Sequence, residues 1–288
     1  MRQLASTYST ASLVELGTSS EGLVMYGLKI SSGGSGKPAI LVDAGIHARE
    51  WIAPATAVYL INQLVEEASN SDLLASIDWY IFPVINPDGY EYTHTSYRLW
   101  RKTRCVNSGS SCRGTDPNRN FGYYWMLNGA SSSPCAETYA GPHAFSEPET
   151  AALRQFVLDN ADTIKLYATL HSYGNYFLYP WGYTSDLPDD EAELRALAVD
   201  ADNALAAHRG TRYTIGTSTN VLYAAAGGSD DWVKGVGGVE LSYTIELPGG
   251  GWYGFDLPAS QIVPVGQETF SAFRVFGEYV QKKFATSK

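Results

Sequence analysis

A histidine and a glutamate three residues apart, in Gly45-Ile-His47-Ala-Arg-Glu50-Trp51, are the first residues whose types suit shared chemistry. An imidazole nitrogen and a carboxylate oxygen at this spacing can reach one Zn²⁺ from the same side, provided a third ligand arrives from elsewhere. Two residues do not define a metal site, and the same pair also describes a satisfied His–Glu contact at a helix start. His171 and Glu246 are the other candidates, each at the end of a strand-like apolar run. Two imidazoles and a carboxylate would leave one tetrahedral position for water, as catalytic zinc sites do. Zinc would bring the pKa of that water towards about 7, and Glu246, free of the metal, could act as general base.

Arginines form a second group. Tyr97-Arg98-Leu-Trp-Arg101-Lys-Thr-Arg104 is basic within an acidic chain, and Asp116-Pro-Asn118-Arg119-Asn adds an arginine between two amides. A guanidinium can clamp a carboxylate bidentately or hold a developing oxyanion. A solvated, salt-bridged face accounts for the basic run equally well on charge alone.

Elements must position these groups. Ala39 to Val42 reads as a buried strand running through Asp43-Ala-Gly45 to His47. Groups just past the carboxyl end of such a strand sit where open α/β sheets bind ligands. Further strands are predicted over Val24–Ile30, Asp78–Ile85, Ile164–Leu170 and Leu241–Leu247. Helices are predicted from Pro54 to Glu67 (apolar stripe Val58, Leu60, Ile61, Leu64, Val65), from a Ser146 cap to Asn160, from Asp189 to a stop at Gly210, and from Gly266 to Phe284. Residues 1–22 read as a polar lead-in with helix potential near Leu13, Ser31–Lys37 as a hairpin-like loop, and Asn86-Pro-Asp-Gly89 as a turn. The stretch Tyr90 to Pro142 is long, irregular and aromatic, which points to function. Strands alternating with helices predict one α/β domain over 1–288: an α/β/α sandwich whose central, mixed, mostly parallel sheet is flanked by helices.

Composition narrows the classes. A net charge of −10 argues against nucleic acid. No apolar run nears membrane-spanning length. The N-terminus lacks an apolar signal core, which fits a cytosolic protein or a processed form of a secreted one. Of three cysteines, Cys112 and Cys135 flank a loop-like segment and are the favoured pair, leaving Cys105. A disulfide would indicate an oxidising compartment.

Seven ordered segments carry a resemblance: His47-Ala-Arg-Glu-Trp, Leu99-Trp-Arg-Lys-Thr-Arg, Asp116-Pro-Asn-Arg-Asn, Ser133-Pro-Cys-Ala-Glu-Thr-Tyr, Leu170-His-Ser-Tyr, Tyr223 with Gly227-Gly-Ser, and Thr244-Ile-Glu-Leu. From about residue 5 onward the chain resembles the zinc metallocarboxypeptidases of the pancreatic carboxypeptidase A/B type, the M14 family, and is nearer the B type. It resembles the catalytic domain without its propeptide. The resemblance implies one Zn²⁺ held by His47, Glu50 and His171, with Asp116 orienting His47. It implies that Glu246 assists attack by zinc-bound water, without an acyl-enzyme, and that Arg101 holds the oxyanion. Asn118 and Arg119 match the clamp on the substrate's terminal carboxylate, Tyr223 a mobile tyrosine, and Arg49 and Arg104 the substrate's approach path. Asp230 matches the floor of the specificity pocket, where aspartate goes with release of C-terminal Lys or Arg; Ser218 matches a small wall residue of the same type. Cys112–Cys135 matches the family disulfide, with Cys105 free and buried.

The implied partners are peptide or protein C-termini, a propeptide and proteinaceous carboxypeptidase inhibitors, for a secreted monomer with no nucleic-acid or membrane partner. Two alternatives remain: an A-type or broad-specificity enzyme, and an inactive peptide-binding relative. His94, His143 and His208 match no functional position. The chain departs from the family in Leu247-Pro-Gly-Gly-Gly-Trp252 and in an apparent one-residue insertion near Gly235–Gly238, both expected at a turn or strand edge.

Overall fold

Runs of consecutive apolar residues form strands buried on both faces. In the computed structural model, which describes residues 1–285, they make the middle of one eight-stranded sheet. The strands are β1 (Ala11–Thr18), β2 (Val24–Ile30), β3 (Ala39–Ala44), β4 (Asp78–Phe82), β5 (Ile164–Ser172), β6 (Tyr176–Tyr179), β7 (Thr214–Thr217) and β8 (Leu241–Leu247). Across the sheet they run β1-β2-β4-β3-β5-β8-β6-β7. The inner four are parallel. Antiparallel pairing occurs at β1/β2, β2/β4 and β6/β8, while β6 and β7 are parallel.

The helices are α1 (Arg2–Thr7), α2 (Ile52–Val65), α3 (Pro87–Thr95), α4 (Pro148–Asp159), α5 (Glu191–Arg209), α6 (Ser218–Val221), α7 (Ser229–Gly235) and α8 (Ile262–Val280). Successive β3 side chains point to opposite faces. Ile40 and Val42 join α2, α5 and α8 in one core, while Leu41 joins Leu153 of α4 and Trp232 of α7 in the other. This is the expected sandwich. Gly210 ends α5 in the left-handed conformation, φ 79°, as its position predicts.

Several local expectations are corrected. Residues 11–18 form β1 rather than a helix; this edge strand is largely exposed, so its sequence lacks the continuous apolar run of a buried strand. The loop after β2 is a crossover rather than a hairpin, because β2 pairs with β1 and β4 and not with β3. Asn86 begins a helix instead of a turn: its side chain accepts from Gly89 N at 3.0 Å and Pro87 fills the first turn of α3. Ser146 does not cap α4; its hydroxyl donates to Glu147 Oε1. The buried stripe of α2 includes Ala53, Ala57, Leu60, Ile61 and Leu64, whereas Val58 is exposed. Four-residue β6 and β7 are too short to give a readable pattern.

Candidate active site

Three neighbouring parallel strands end at one place. The turn after β3 carries His47 and Glu50, β5 carries His171 one residue before its end, and β8 carries Glu246 directly opposite His171 in register. His47, Glu50 and His171 are buried and Glu246 is partly so. His47 Nδ1 lies 2.8 Å from Glu50 Oε1, and His171 Nδ1 lies 3.0 Å from Glu50 Oε2 and 3.2 Å from His47 Nδ1. Two ring nitrogens at that separation, both facing one carboxylate, converge as ligands of a shared cation do. Among the described residues this is the one group of His, Cys, Asp or Glu placed to hold a metal. Two imidazoles and a carboxylate fit zinc.

The centre is held from behind. His47 Nε2 lies 3.0 Å from Asp116 Oδ1, which fixes the ring with Nδ1 turned inward. Arg101 donates to Asp116 Oδ2 through Nε at 3.2 Å and Nη2 at 2.9 Å. Burial alone would raise the Asp116 pKa; the Arg101 guanidinium and the His47 ring override it and hold it well below the usual range. Glu50 is likewise lowered against its burial, by His47 and then His171. Burial opposes a charge on His171, but Glu50 outweighs it and lifts its pKa to about 9. At Glu246 burial prevails: with Glu50 nearby it outweighs the opposing pull of His171 and Arg101 and pushes the pKa up to about 7. Its Oε2 is buried without a hydrogen-bond partner.

These groups line a cleft of about 380 Å³, together with Arg49, Asn118, Arg119, Tyr223 and Asp230. Asn118 Oδ1 accepts from Ser229 N at 3.0 Å, so its amide NH₂ is the end left for a ligand. Arg119 spends Nε on Gly129 O and Nη1 on Asn118 O. A Cβ on Gly227 would stand 2.5 Å from Arg119 O, so only glycine lets the two segments meet. Tyr223 is 60% exposed at the cleft mouth. Arg49 stacks on Phe255 at 4.5 Å and pairs with Glu137 at 3.2 Å. Arg104 is not brought into this cleft: it lies between Tyr92 and Trp100 in a separate cavity of about 320 Å³.

Asp230 and Asp231, at the start of α7, are both buried and differently spent. Asp231 accepts from Gly182 N at 2.8 and 3.0 Å and from Tyr183 N at 3.0 Å, and burial with Asp230 beside it raises its pKa well above normal. Asp230 faces the cleft and receives one side-chain hydrogen bond, from Ser218 at 3.3 Å. The anchoring role of Asp231, and the cleft lining by Tyr173, Gly182 and Phe255, were not foreseen from the sequence. A backbone amide 48 residues away leaves no mark on composition or spacing.

Cys112 and Cys135 form the expected disulfide. Cys105 is free but only partly buried, with its thiol pushed up to about 11, mainly by burial. His94 stacks on Trp51 and His208 bonds Ser271; neither joins the metal group.

The family model for zinc carboxypeptidases of the M14 type matches residues 1–272. The chain belongs to the M14 zinc carboxypeptidases. It is 52% identical to a carboxypeptidase B of Astacus astacus over 98% of its own length and 94% of that protein's. It is 46% identical to a zinc carboxypeptidase A 1 of Drosophila melanogaster, over 93% of its length, and spans 64% of that protein. Its fold matches bovine thrombin-activatable fibrinolysis inhibitor, solved in complex with a tick carboxypeptidase inhibitor, with a TM-score of 0.93 at 39% identity, covering 98% and 94% of the two chains. This M14 chain carries the family's zinc chemistry on a sheet whose strand ends supply the donors. None of its described helices is long and apolar enough to cross a membrane.

Proposed function

We propose that this carboxypeptidase releases C-terminal lysine and arginine. The observation that carries the reading is the Asp230 carboxylate, 6% exposed at the cleft, with a single long hydroxyl contact, beside an Asp231 already engaged by backbone amides. A buried carboxylate so weakly partnered favours a ligand that brings a cation and penalises an apolar one. Ser218 leaves room beside it. Ser242 Oγ, donating to Asp230 O at 2.9 Å, fixes the backbone that presents it.

Asn118 Nδ2 and the remaining Arg119 nitrogen would clamp the substrate's terminal carboxylate. An internal peptide bond offers no such group, so cleavage is confined to the chain end. When bound by His47, Glu50 and His171, zinc supplies Lewis-acid polarisation of the carbonyl and of water. Arg101, steadied by Asp116, donates to the oxygen that gains charge as the carbonyl is attacked. Glu246 takes the proton from the attacking water and returns it to the departing amine; burial places its pKa near the working range for both transfers. Water thus adds directly, one C–N bond breaks, and no acyl-enzyme forms. Tyr223, exposed at the mouth, would close over the bound residue. The Cys112–Cys135 disulfide supports an extracellular setting, and the inhibitor bound to the bovine neighbour supports protein inhibitors as partners of a monomeric catalytic unit.

The test is a panel of otherwise identical peptides ending in Lys, Arg, Phe or Leu, assayed with and without a chelator. Lys and Arg should lead and the chelator should abolish turnover. Equal or faster release of Phe removes the basic reading in favour of an A-type or broad one, which the 46% identity to an A-named relative supports.

A further inference from the structure

We infer that the cavity between segments 102–104 and 111–113 is a second binding site, separate from the active-site cleft, for a doubly charged oxyanion: a phosphate or sulfate group. The two segments are laid side by side by their backbones. Thr103 N donates to Thr115 O and Gly114 N to Cys105 O, each at 2.9 Å. Asn107 Nδ2 ties the turn between them, donating to Cys112 O and Gly114 O at 3.1 Å. The Cys112–Cys135 bridge, Tyr92 and Trp100 close the remaining walls around about 320 Å³.

The charge of the lining points to the ligand. Lys102, Arg104 and Arg113 face one carboxylate, Glu137, and that carboxylate already pairs with Arg49 at 3.2 Å. Arg113 reaches Glu21 at 3.6 Å near the surface. The Lys102 side chain is buried, and its ammonium has one hydrogen bond, to Pro134 O at 2.6 Å, so two of its three donors remain. Arg104 lies over Tyr92 at 3.6 Å and Trp100 at 4.6 Å, and its Nε is buried without a partner. Among the described residues neither Lys102 nor Arg104 enters an ion pair. Withdrawing cations from water without a counter-charge is costly, yet a chain of net charge −10 places no further carboxylate here. A ligand carrying two negative charges matches the surplus. The guanidinium fork of Arg104, held in plane by the two rings, fits two oxygens of a tetrahedral oxyanion, and Lys102 adds a point charge. The rest of the cavity admits a small organic group on that oxyanion.

The experiment begins with crystals of the zinc-loaded enzyme soaked in selenate, a sulfate analogue with a strong anomalous signal. A selenium peak is expected between Lys102, Arg104 and Arg113. In solution, calorimetric titration with inorganic phosphate should show saturable binding that sodium chloride at equal ionic strength does not reproduce. Arg104→Gln should weaken that binding about tenfold and Arg113→Gln about threefold, with Arg104→Lys between them because the charge stays and the fork is lost. If Arg104→Gln melts before it can be titrated, Arg113→Gln, at an exposed position, carries the comparison. Glucose 6-phosphate forms a second arm: tighter binding than phosphate assigns the site to an ester, and equal or weaker binding assigns it to the free oxyanion. The inference falls if selenium is absent from this cavity, if chloride reproduces the phosphate signal, or if the folded variants bind phosphate as tightly as wild type.

Discussion

Two regions of this molecule bury carboxylates, and they treat them in opposite ways. At the strand ends, Glu50 and Asp116 face His47, His171 and Arg101, and both are held below their usual pKa despite burial. Where residues 19–21 meet α3 and α4, Asp88 and Glu149 are met only by neutral donors: Ser19 and Ser20 hydroxyls and the amides of Ser20 and Glu21. At Glu149 burial dominates, and its pKa rises to about 7 with Oε2 buried and unpartnered. Hydrogen bonds alone do not offset lost solvation of a charge; an opposed cation does. Asp43 agrees: it accepts from the Tyr167 and Thr169 hydroxyls, yet burial pushes it to about 6. Glu246, a carboxylate proposed to act on substrate, is raised by burial as Glu149 is, although His171 and Arg101 oppose the rise.

Variants can break this contrast. The largest effect is expected from Glu246→Gln, which keeps shape and removes the base: kcat should fall roughly 10²- to 10⁴-fold while zinc content, read by metal analysis, stays near one per chain. A kcat within a few-fold of wild type would place the proton transfer elsewhere. Asp230→Asn should lower kcat/KM for Arg and Lys substrates on the order of a hundredfold and spare Phe substrates. Equal loss on both would make Asp230 structural. Asp116→Asn leaves Arg101 without its counter-charge and frees the His47 ring, so metal affinity or activity should drop about 10- to 100-fold. Competition with a coloured chelator measures this, and unchanged affinity would argue against the positioning role.

The smallest effect, on stability alone, belongs to the other region. Glu149 holds its proton more tightly folded than unfolded, so the fold loses stability as pH rises from about 4.5 to about 7. The loss is on the order of 3 kcal/mol and is complete above that window. Glu149→Gln should therefore melt higher than wild type at pH 8 and match it near pH 4, by thermal unfolding at both pH values. A difference independent of pH would refute the assignment.

The centre was legible in the sequence because its parts are local. His47 and Glu50 follow an apolar run that can only be a buried strand, and His171 and Glu246 each lie one residue before the end of another. Asn118 and Arg119 were legible only as members of an ordered set of segments, since their positions depend on Ser229 and Gly227 far along the chain. What stayed hidden depends on pairing across distance or on exposure. An edge strand such as β1 has no buried run to betray it, Asp231 answers to amides in another loop, and nothing in the spacing of Arg104 separates a cleft position from a neighbouring cavity. The departure after Glu246 was visible as sequence, but its closeness to Tyr173 was not. Of the segment 235–238, Gly235 ends α7 and the other three residues lie between α7 and β8.

The Cys112–Cys135 bond closes a covalent ring over a sequence separation of 23, and Asp116, Asn118 and Arg119 all lie inside it. A single proteolytic cut anywhere in that ring leaves both new ends tethered through sulfur. The segment proposed to grip the product can thus be nicked without being shed, so an enzyme working among other proteases could keep its grip on substrate as long as the bridge stays oxidised.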